Sequence, residues 1–194
     1  MRVGGVSCLT GRREADWARY LGVARRRRHL GGVLLLLDGD VPPTGQRVFC
    51  PGEVGRDFSR RAREAGAGVL FSVASVFAMQ EYESWLIGGI EGRAGRQLPD
   101  GRPGIMAGTQ APLQDIEQTI RGAKGWVGRH MESGTYKETT DQVQLTRLLI
   151  EDLGPLRQRG LSSFSRLERA LRQLVDGIRS GTHVVTPVVA EGES

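Results

Sequence analysis

The chain has 194 residues, a formal net charge of +5 and a pI near 9.9, and 39% of its residues are hydrophobic. A chain of this size is expected to fold as one domain whose core needs neither disulfides nor metals. No apolar run reaches the length of a transmembrane helix, and the N-terminus lacks the apolar core of a secretory signal. The sequence therefore argues against membrane and secreted proteins and predicts a cytoplasmic one.

The cysteines and histidines are scattered along the chain. Cys8 and Cys50 are far apart, and His29, His130 and His183 are equally separated, so no metal-ligand spacing is present. Two isolated cysteines suit a reducing compartment. This distribution argues against a zinc site.

The positive charge is compatible with nucleic-acid binding, because arginine and lysine neutralise phosphates. However, Lys124 and Lys137 are the only lysines, and such an excess of arginine also arises from a GC-rich genome. The densest basic run is Arg25 to Arg28. Two interpretations of this run stay open: a solvated helix end and a patch that contacts phosphates.

The first half of the chain alternates between helical and strand patterns. Residues 14–29 carry apolar side chains at helical spacing, and Gly31 and Gly32 lead into a run of leucines. This run, residues 33–37, predicts a strand buried on both faces. It ends in Asp38 and Asp40, at the carboxyl end where open α/β sheets bind ligands.

The same alternation continues after this strand. Residues 54–65 predict a helix that stops at Gly66 and Gly68, and residues 69–76 predict a second buried strand. A helix is expected next in the segment EYESWLIGGI. The order strand, helix, strand, helix predicts parallel strands joined by a right-handed crossover.

The middle of the chain, from Gly88 to Gly108, is rich in glycine and interrupted by Pro99 and Pro103. A loop of this length is usually functional or disordered. Further on, Thr139 and Gln142 have capping-box spacing, which predicts the start of a helix, and Gly154-Pro155 predicts its end.

A last helix is predicted from a second capping signature, Ser165 with Glu168. It carries an apolar stripe that we expect to pack in the core, with docking of a partner as the alternative: Leu167, Leu171, Leu174 and Ile178. The domain is expected to span residues 1–180, and residues 181–194 are expected to form a flexible tail.

The carboxylates after the two strands suggest a cation site. Asp38 and Asp40 point the same way in an extended segment, and Gly39 lets the backbone bend around an ion. Glu81 follows the second strand at the same predicted edge, whereas Glu83 lies about 200° away from it on a helix. Oxygen ligands of this kind favour magnesium or manganese.

A purely structural interpretation of these acidic residues is also open. Asp38 and Asp40 can make a turn by bonding to the local backbone, and Glu81 and Glu83 suit the first turn of a helix. We favour the metal site because both acidic segments follow predicted strands.

Five segments, in this order, resemble the bacterial proteins catalogued as domain of unknown function 4276, which are grouped with the Toprim-like fold. They lie between about residues 30 and 178 and read LLLLDGDVPP, EYESWLIGG, GAKGWVGRHM, YKETTDQVQLT and SSFSRLERAL. The resemblance implies a mostly parallel sheet flanked by helices, with a helical C-terminal portion.

Toprim domains bind magnesium through an Asp-x-Asp pair and act in phosphoryl transfer. The resemblance therefore implies that Asp38 and Asp40 bind the metal and that Glu81 is a further acidic site residue. Such domains also use a glutamate at the end of an earlier strand. Residues 1–10 contain no glutamate, so the N-terminal strand is either missing from the chain or lacks this residue.

Two hypotheses follow. The first is a magnesium- or manganese-dependent nuclease, with Asp38, Asp40 and Glu81 at the metal, Glu81 and Lys124 in catalysis, and Lys124 or a nearby arginine holding a phosphate. The second is a non-catalytic subunit that binds an ATPase encoded beside it, in bacterial antiphage defence. The expected partners are DNA or RNA, that ATPase and further copies of the chain, and no membrane.

Overall fold

The computed structural model describes Leu9 and residues 14–39 and 50–188. Its helices follow the alternating pattern of the sequence, with an additional short helix of the 3-10 type at Ile90–Gly92. The α-helices are α1 (Glu14–Arg25), α2 (Pro51–Glu64), α3 (Glu83–Gly88), α4 (Ile116–Thr119), α5 (Ala123–His130), α6 (Asp141–Glu151), α7 (Gly154–Gln158) and α8 (Ser162–Ser180).

The described strands form one three-stranded parallel sheet in the order β1 (Gly32–Asp38), β2 (Ser72–Ala78) and β3 (Val185–Thr186). In the pairing of β2 with β3, Val73 lies opposite Val185 and Ala74 opposite Thr186. The fold is therefore mixed α/β with a parallel sheet, as the sequence predicts. Part of the segment that we expected to be a tail, Val185–Thr186, belongs to this sheet.

The chain groups into two compact units, the first comprising Met1–Phe77 with Arg166–Ser194 and the second Ala78–Ser165. Two compact units can belong to one domain, so the expectation of a single domain stays a prediction. Among the described residues, no helix is long and apolar enough to cross a membrane.

In the first unit, helices cover both faces of the sheet. One core cluster joins the sheet to α1 and α2, through residues such as Trp17, Leu35 and Phe58. The other joins the opposite face to α8, through Ala74, Val76, Ala170 and Leu174. Because successive strand residues point to opposite faces, a run of apolar residues supplies both clusters at once. The strand at the leucine run is confirmed, but its burial on both faces is not: Leu35 and Leu37 are buried, whereas Leu36 is only partly buried and Leu34 is 36% exposed. Among the described strands β1 stands at the end of the sheet order, where a strand is covered less completely than in the middle.

The predicted starts of one helix and one strand in this unit are wrong, and the first helix ends at Arg25 rather than at residue 29. Helix α2 begins at Pro51 rather than at residue 54, because proline fits the first turn of a helix. Strand β2 begins at Ser72 rather than at residue 69, because Gly66 and Gly68 adopt positive φ angles of 92° and 85° and carry Val69 and Leu70 into an exposed turn.

The apolar stripe of α8 is only partly buried. Leu174 is 6% exposed and packs on the sheet, whereas Leu171 is 41% and Ile178 50% exposed. The expectation that the whole stripe lies in the core is therefore wrong. Residues 171 and 178 lie at one edge of the stripe. The three-stranded sheet is too narrow to cover that edge, so both side chains keep substantial contact with solvent.

The second unit holds the glycine-rich segment in a folded conformation. The stretch that contains Gly95 and Leu98 and the stretch that contains Arg102 and Ile105 form the two arms of this segment. They bond to each other, with Gly95 N donating to Ile105 O at 2.8 Å and Leu98 N to Arg102 O at 2.9 Å. The buried guanidinium of Arg93 donates to the carbonyls of Leu149 and Asp152, both at 2.8 Å, at the end of α6. A cation at this position satisfies carbonyls that the helix leaves without partners.

Candidate functional site

Asp38 is the last residue of β1, at the carboxyl end of a partly buried parallel strand. Leu35 and Leu37 are buried in the cluster with α1 and α2, and Leu36 packs in the cluster with α8. By the two-residue period of a strand, Asp38 lies on the same face as Leu36, the face that α8 covers. Asp40, the second predicted ligand, lies outside the described residues.

A cavity of about 340 Å³ opens in the first unit, at the carboxyl half of β2. Its walls come from the start of α2, from β2, from α8 and from the end of β3. The residues that line it are Pro51, Gly52, Gly55, Ser75, Val76, Phe77, Arg166, Arg169, Ala170, Gln173, Thr186 and Pro187. The strands are parallel, so this is the end of the sheet at which Asp38 also lies.

The other predicted site residues, Glu81 and Lys124, meet in the second unit. The ammonium group of Lys124 lies 3.4 Å from Glu81 Oε1, and the Lys124 backbone N donates to Glu81 Oε2 at 3.2 Å. A second carboxylate, Glu138 Oε2, lies 3.2 Å from the same ammonium. Glu81 therefore also satisfies a backbone donor in the first turn of α5.

The charge of Lys124 is fixed by these neighbours. Partial burial acts to lower the pKa of its ammonium, but the hydrogen bond to Glu138 and the charges of Glu83, Glu81 and Glu138 outweigh burial and raise the pKa above its ordinary value. Lys124 is therefore protonated at neutral pH. It can neutralise an anion, but it does not accept a proton at that pH.

Glu83, which the sequence analysis could not place beside Glu81, is fully buried. Its Oε1 accepts a hydrogen bond from Tyr136 OH at 2.6 Å and one from Gln142 Nε2 at 3.1 Å. Sequence reasoning missed both partners, although both lie in the segment YKETTDQVQLT that it singled out. One signal could have found them: a buried glutamate requires hydrogen-bond donors, and this segment is rich in polar side chains that can donate.

We expect Tyr136→Phe to lower the free energy of unfolding by about 1.5–3 kcal/mol, because it removes a hydrogen bond to a buried carboxylate. It should also change the pH dependence of stability. Burial, and then the hydrogen bond and charge of Glu83, raise the pKa of the Tyr136 phenol above its ordinary value. The contribution of this phenol is fully present below the unfolded pKa of about 10 and is lost as the pH rises from there toward the higher folded pKa.

Urea denaturation between pH 7 and pH 11 measures both effects. Tyr20→Phe is the control, because Tyr20 lies in α1, outside this cluster. A Tyr136→Phe protein as stable as the unmodified one at pH 7, with the same alkaline loss of stability, would contradict the prediction.

The predicted metal ligands are only partly within the described residues. Among these, no group of three histidine, cysteine, aspartate or glutamate side chains could hold a metal ion together. Magnesium commonly uses one or two carboxylates and completes its shell with water and substrate phosphates. The Asp38 carboxylate, with the one of Asp40 two residues later in the sequence, has the donor chemistry that such a site requires.

Comparisons with known proteins leave the family open. No family model matches the chain, and neither the curated proteins nor the solved structures gave a match.

Proposed function

We propose that the chain is a magnesium-dependent phosphoryl-transfer protein with a Toprim-like fold, most simply a nuclease. The observation that carries the proposal is the position of Asp38 at the carboxyl end of a parallel strand, at the same end of the sheet as an arginine-lined cavity. Carboxylates for a cation and arginines for a phosphate are the two requirements of phosphoryl transfer, which depends mainly on positioning and charge neutralisation. A role in bacterial antiphage defence belongs to the same proposal and is supported by the resemblance in five motifs.

In this proposal Asp38 and Asp40 would hold the metal, magnesium or manganese. The bound ion would supply neutralisation of charge on a phosphate. Asp38 contributes a position fixed by the pairing of β1 with β2 and by the packing of Leu35, Leu36 and Leu37. The predicted roles of Glu81 and Lys124 stay predictions, supported by the pairing of these two residues.

The proposal predicts that Asp38→Ala abolishes metal binding and metal-dependent cleavage. Calorimetric titration with Mg²⁺ and with Mn²⁺ measures the first, and cleavage of single- and double-stranded DNA and RNA with and without a chelator measures the second. We expect cleavage to fall by a factor on the order of 100 or more, since a bound metal lowers the barrier by several kcal/mol. Asp176→Ala is the matched control, because Asp176 is an exposed aspartate of α8 that does not line the cavity.

Metal-dependent cleavage that survives Asp38→Ala would contradict the proposal. Absence of metal binding to the unmodified chain would also contradict it. The alternative of the sequence analysis, a non-catalytic subunit for a partner ATPase, would then be the hypothesis to test, by co-purification with the product of the neighbouring gene.

A further inference from the structure

The cavity of the first unit has walls of uneven chemistry. Val76, Phe77 and Pro187 give it an apolar side, and α8 gives it a basic one through Arg166 and Arg169. No described residue that lines it carries a carboxylate. A volume of about 340 Å³ is at the lower end of the range in which small ligands bind. The cavity therefore suits a small anion that has an apolar or aromatic portion.

The two arginines are available to such an anion. Arg166, Arg169 and Gln173 follow one another at intervals of three and four residues, so they lie on one face of α8. Both arginines are exposed, and within the described part of the chain neither has a carboxylate at ion-pair distance. Arg60 and Arg61 of α2 differ in this respect, since each bonds to Asp57.

The first turn of α2 forms the opposite wall. This helix has 14 residues, and its N-cap residue, Cys50, makes no side-chain hydrogen bond to the turn. Gly52 and Gly55 line the cavity, so backbone rather than side chain faces it there, and Glu53 of the same turn is not among the lining residues. The N–H groups at the start of a helix attract anions.

Ser75 of β2 provides an independent observation. It lines the cavity, and its hydroxyl oxygen is buried without a hydrogen-bond partner among the described residues. A buried hydroxyl that makes no hydrogen bond is unfavourable, so a ligand that bonds to it is favoured. Rotation about the Cα–Cβ bond changes the direction of this hydroxyl, so its O–H group can donate a hydrogen bond to a ligand oxygen.

We infer that this cavity is a binding site for a phosphate group of a nucleotide. Arg166 and Arg169 hold the phosphate oxygens, since the guanidinium fork matches phosphate geometry. The first turn of α2 and Ser75 supply further donors, and Val76, Phe77 and Pro187 contact the nucleoside portion. The nucleotide identity rests on the proposed function, whereas the phosphate site rests on the cavity itself.

The test is calorimetric titration of the full chain with inorganic phosphate, adenosine 5′-monophosphate and adenosine, in a chelator that removes divalent metals. We expect the monophosphate to bind more tightly than inorganic phosphate, and adenosine to bind more weakly than the monophosphate by at least about tenfold. The double variant Arg166→Ala, Arg169→Ala should lower the affinity for the monophosphate by at least about tenfold for each arginine, the usual effect of losing a charge-assisted hydrogen bond.

The matched control is Arg172→Ala with Arg179→Ala, which removes two exposed arginines of the same helix that do not line the cavity. This pair should change affinity by no more than about twofold, the weak effect of distant exposed charge. Equal weakening by both pairs would mean unspecific attraction to a basic helix and would overturn the inference. Failure of the unmodified chain to bind either phosphate compound would overturn it as well.

Asp38→Ala separates this inference from the proposed function. If the inference holds, Asp38→Ala keeps phosphate binding in the chelator, whatever it does to cleavage. The Arg166→Ala, Arg169→Ala pair weakens that binding by at least about tenfold for each arginine. Loss of phosphate binding in Asp38→Ala but not in the arginine pair would place the phosphate elsewhere and overturn the inference.

Discussion

Replacing Glu117 by alanine is expected to lower the free energy of unfolding by about 2–4 kcal/mol, because this carboxylate caps the longest helix. Glu117 is 4% exposed. Its oxygens accept bonds from Ser162 N at 2.7 Å, from Ser162 Oγ at 2.8 Å and from Ser163 N at 3.0 Å, and also from the Ser163 hydroxyl. Alanine would leave four donors of the first turn of α8 without their acceptor in a mostly buried position.

The effect should extend to the core of the second unit. Ser163 Oγ also accepts a hydrogen bond from the indole of Trp85 at 2.8 Å, so the capping carboxylate fixes the acceptor of a buried tryptophan. We therefore expect the tryptophan fluorescence of Glu117→Ala to shift in the folded state as well.

Urea denaturation followed by circular dichroism measures the stability. Glu132→Ala is the control, because the Glu132 side chain is exposed in the same unit, and it should change stability by less than about 0.5 kcal/mol. Glu117→Gln should fall between the two, since the amide keeps one acceptor and loses the charge. A Glu117→Ala protein as stable as the control would show that water caps the helix equally well.

The elements that sequence patterns predict best are those whose signal is local. The leucine run of β1 and the spacing of Trp17 and Leu21 in α1 reflect burial that a strand or helix imposes on its own residues. The start of α8 is different. Ser165 and Glu168 have capping spacing, but the helix begins at Ser162, because Glu117 provides the cap from a position 45 residues earlier. When a distant segment provides the cap, the residues around the start of the helix show no capping-box spacing that could be recognised.

The candidate site shows the same limit. The sequence places Asp38 at the end of a strand because the strand itself is recognisable. It assigns Glu81 to the metal with Asp38 and Asp40, but it does not predict that Glu81 contacts Lys124. The contact between Glu81 and Lys124 joins residues 43 positions apart. The cavity draws its walls from α2, β2, α8 and the end of β3. The sequence pattern therefore does not distinguish Arg166 and Arg169 from other exposed arginines; only the fold brings them to the cavity.

The glycine-rich segment from Gly88 to Gly108 offers a second large effect on stability. Gly104 lies against Arg96 where the two arms of this segment pack side by side, and a Cβ atom added there would lie 2.3 Å from the backbone oxygen of Arg96. Real Cβ atoms do not approach so closely, and a backbone oxygen cannot rotate away as a side chain does. The Gly104 carbonyl also accepts a hydrogen bond from Glu132 N at 2.9 Å, so the arm is held from the other side.

We expect Gly104→Ala to lower the free energy of unfolding by about 3 kcal/mol, the upper part of the range for overpacking a filled site. Gly125→Ala is the matched control. It lies in α5, where the added Cβ would meet only the end of the Arg129 side chain at 3.6 Å, so it should stabilise the protein by ~0.5–1 kcal/mol through helix propensity. Opposite signs for one chemical change, measured by urea denaturation, separate a steric clash from the general effect of removing a glycine. Equal stability of the two variants would mean that the arms of the segment move apart freely, and that the close approach of Gly104 to Arg96 does not hold the 88–108 segment.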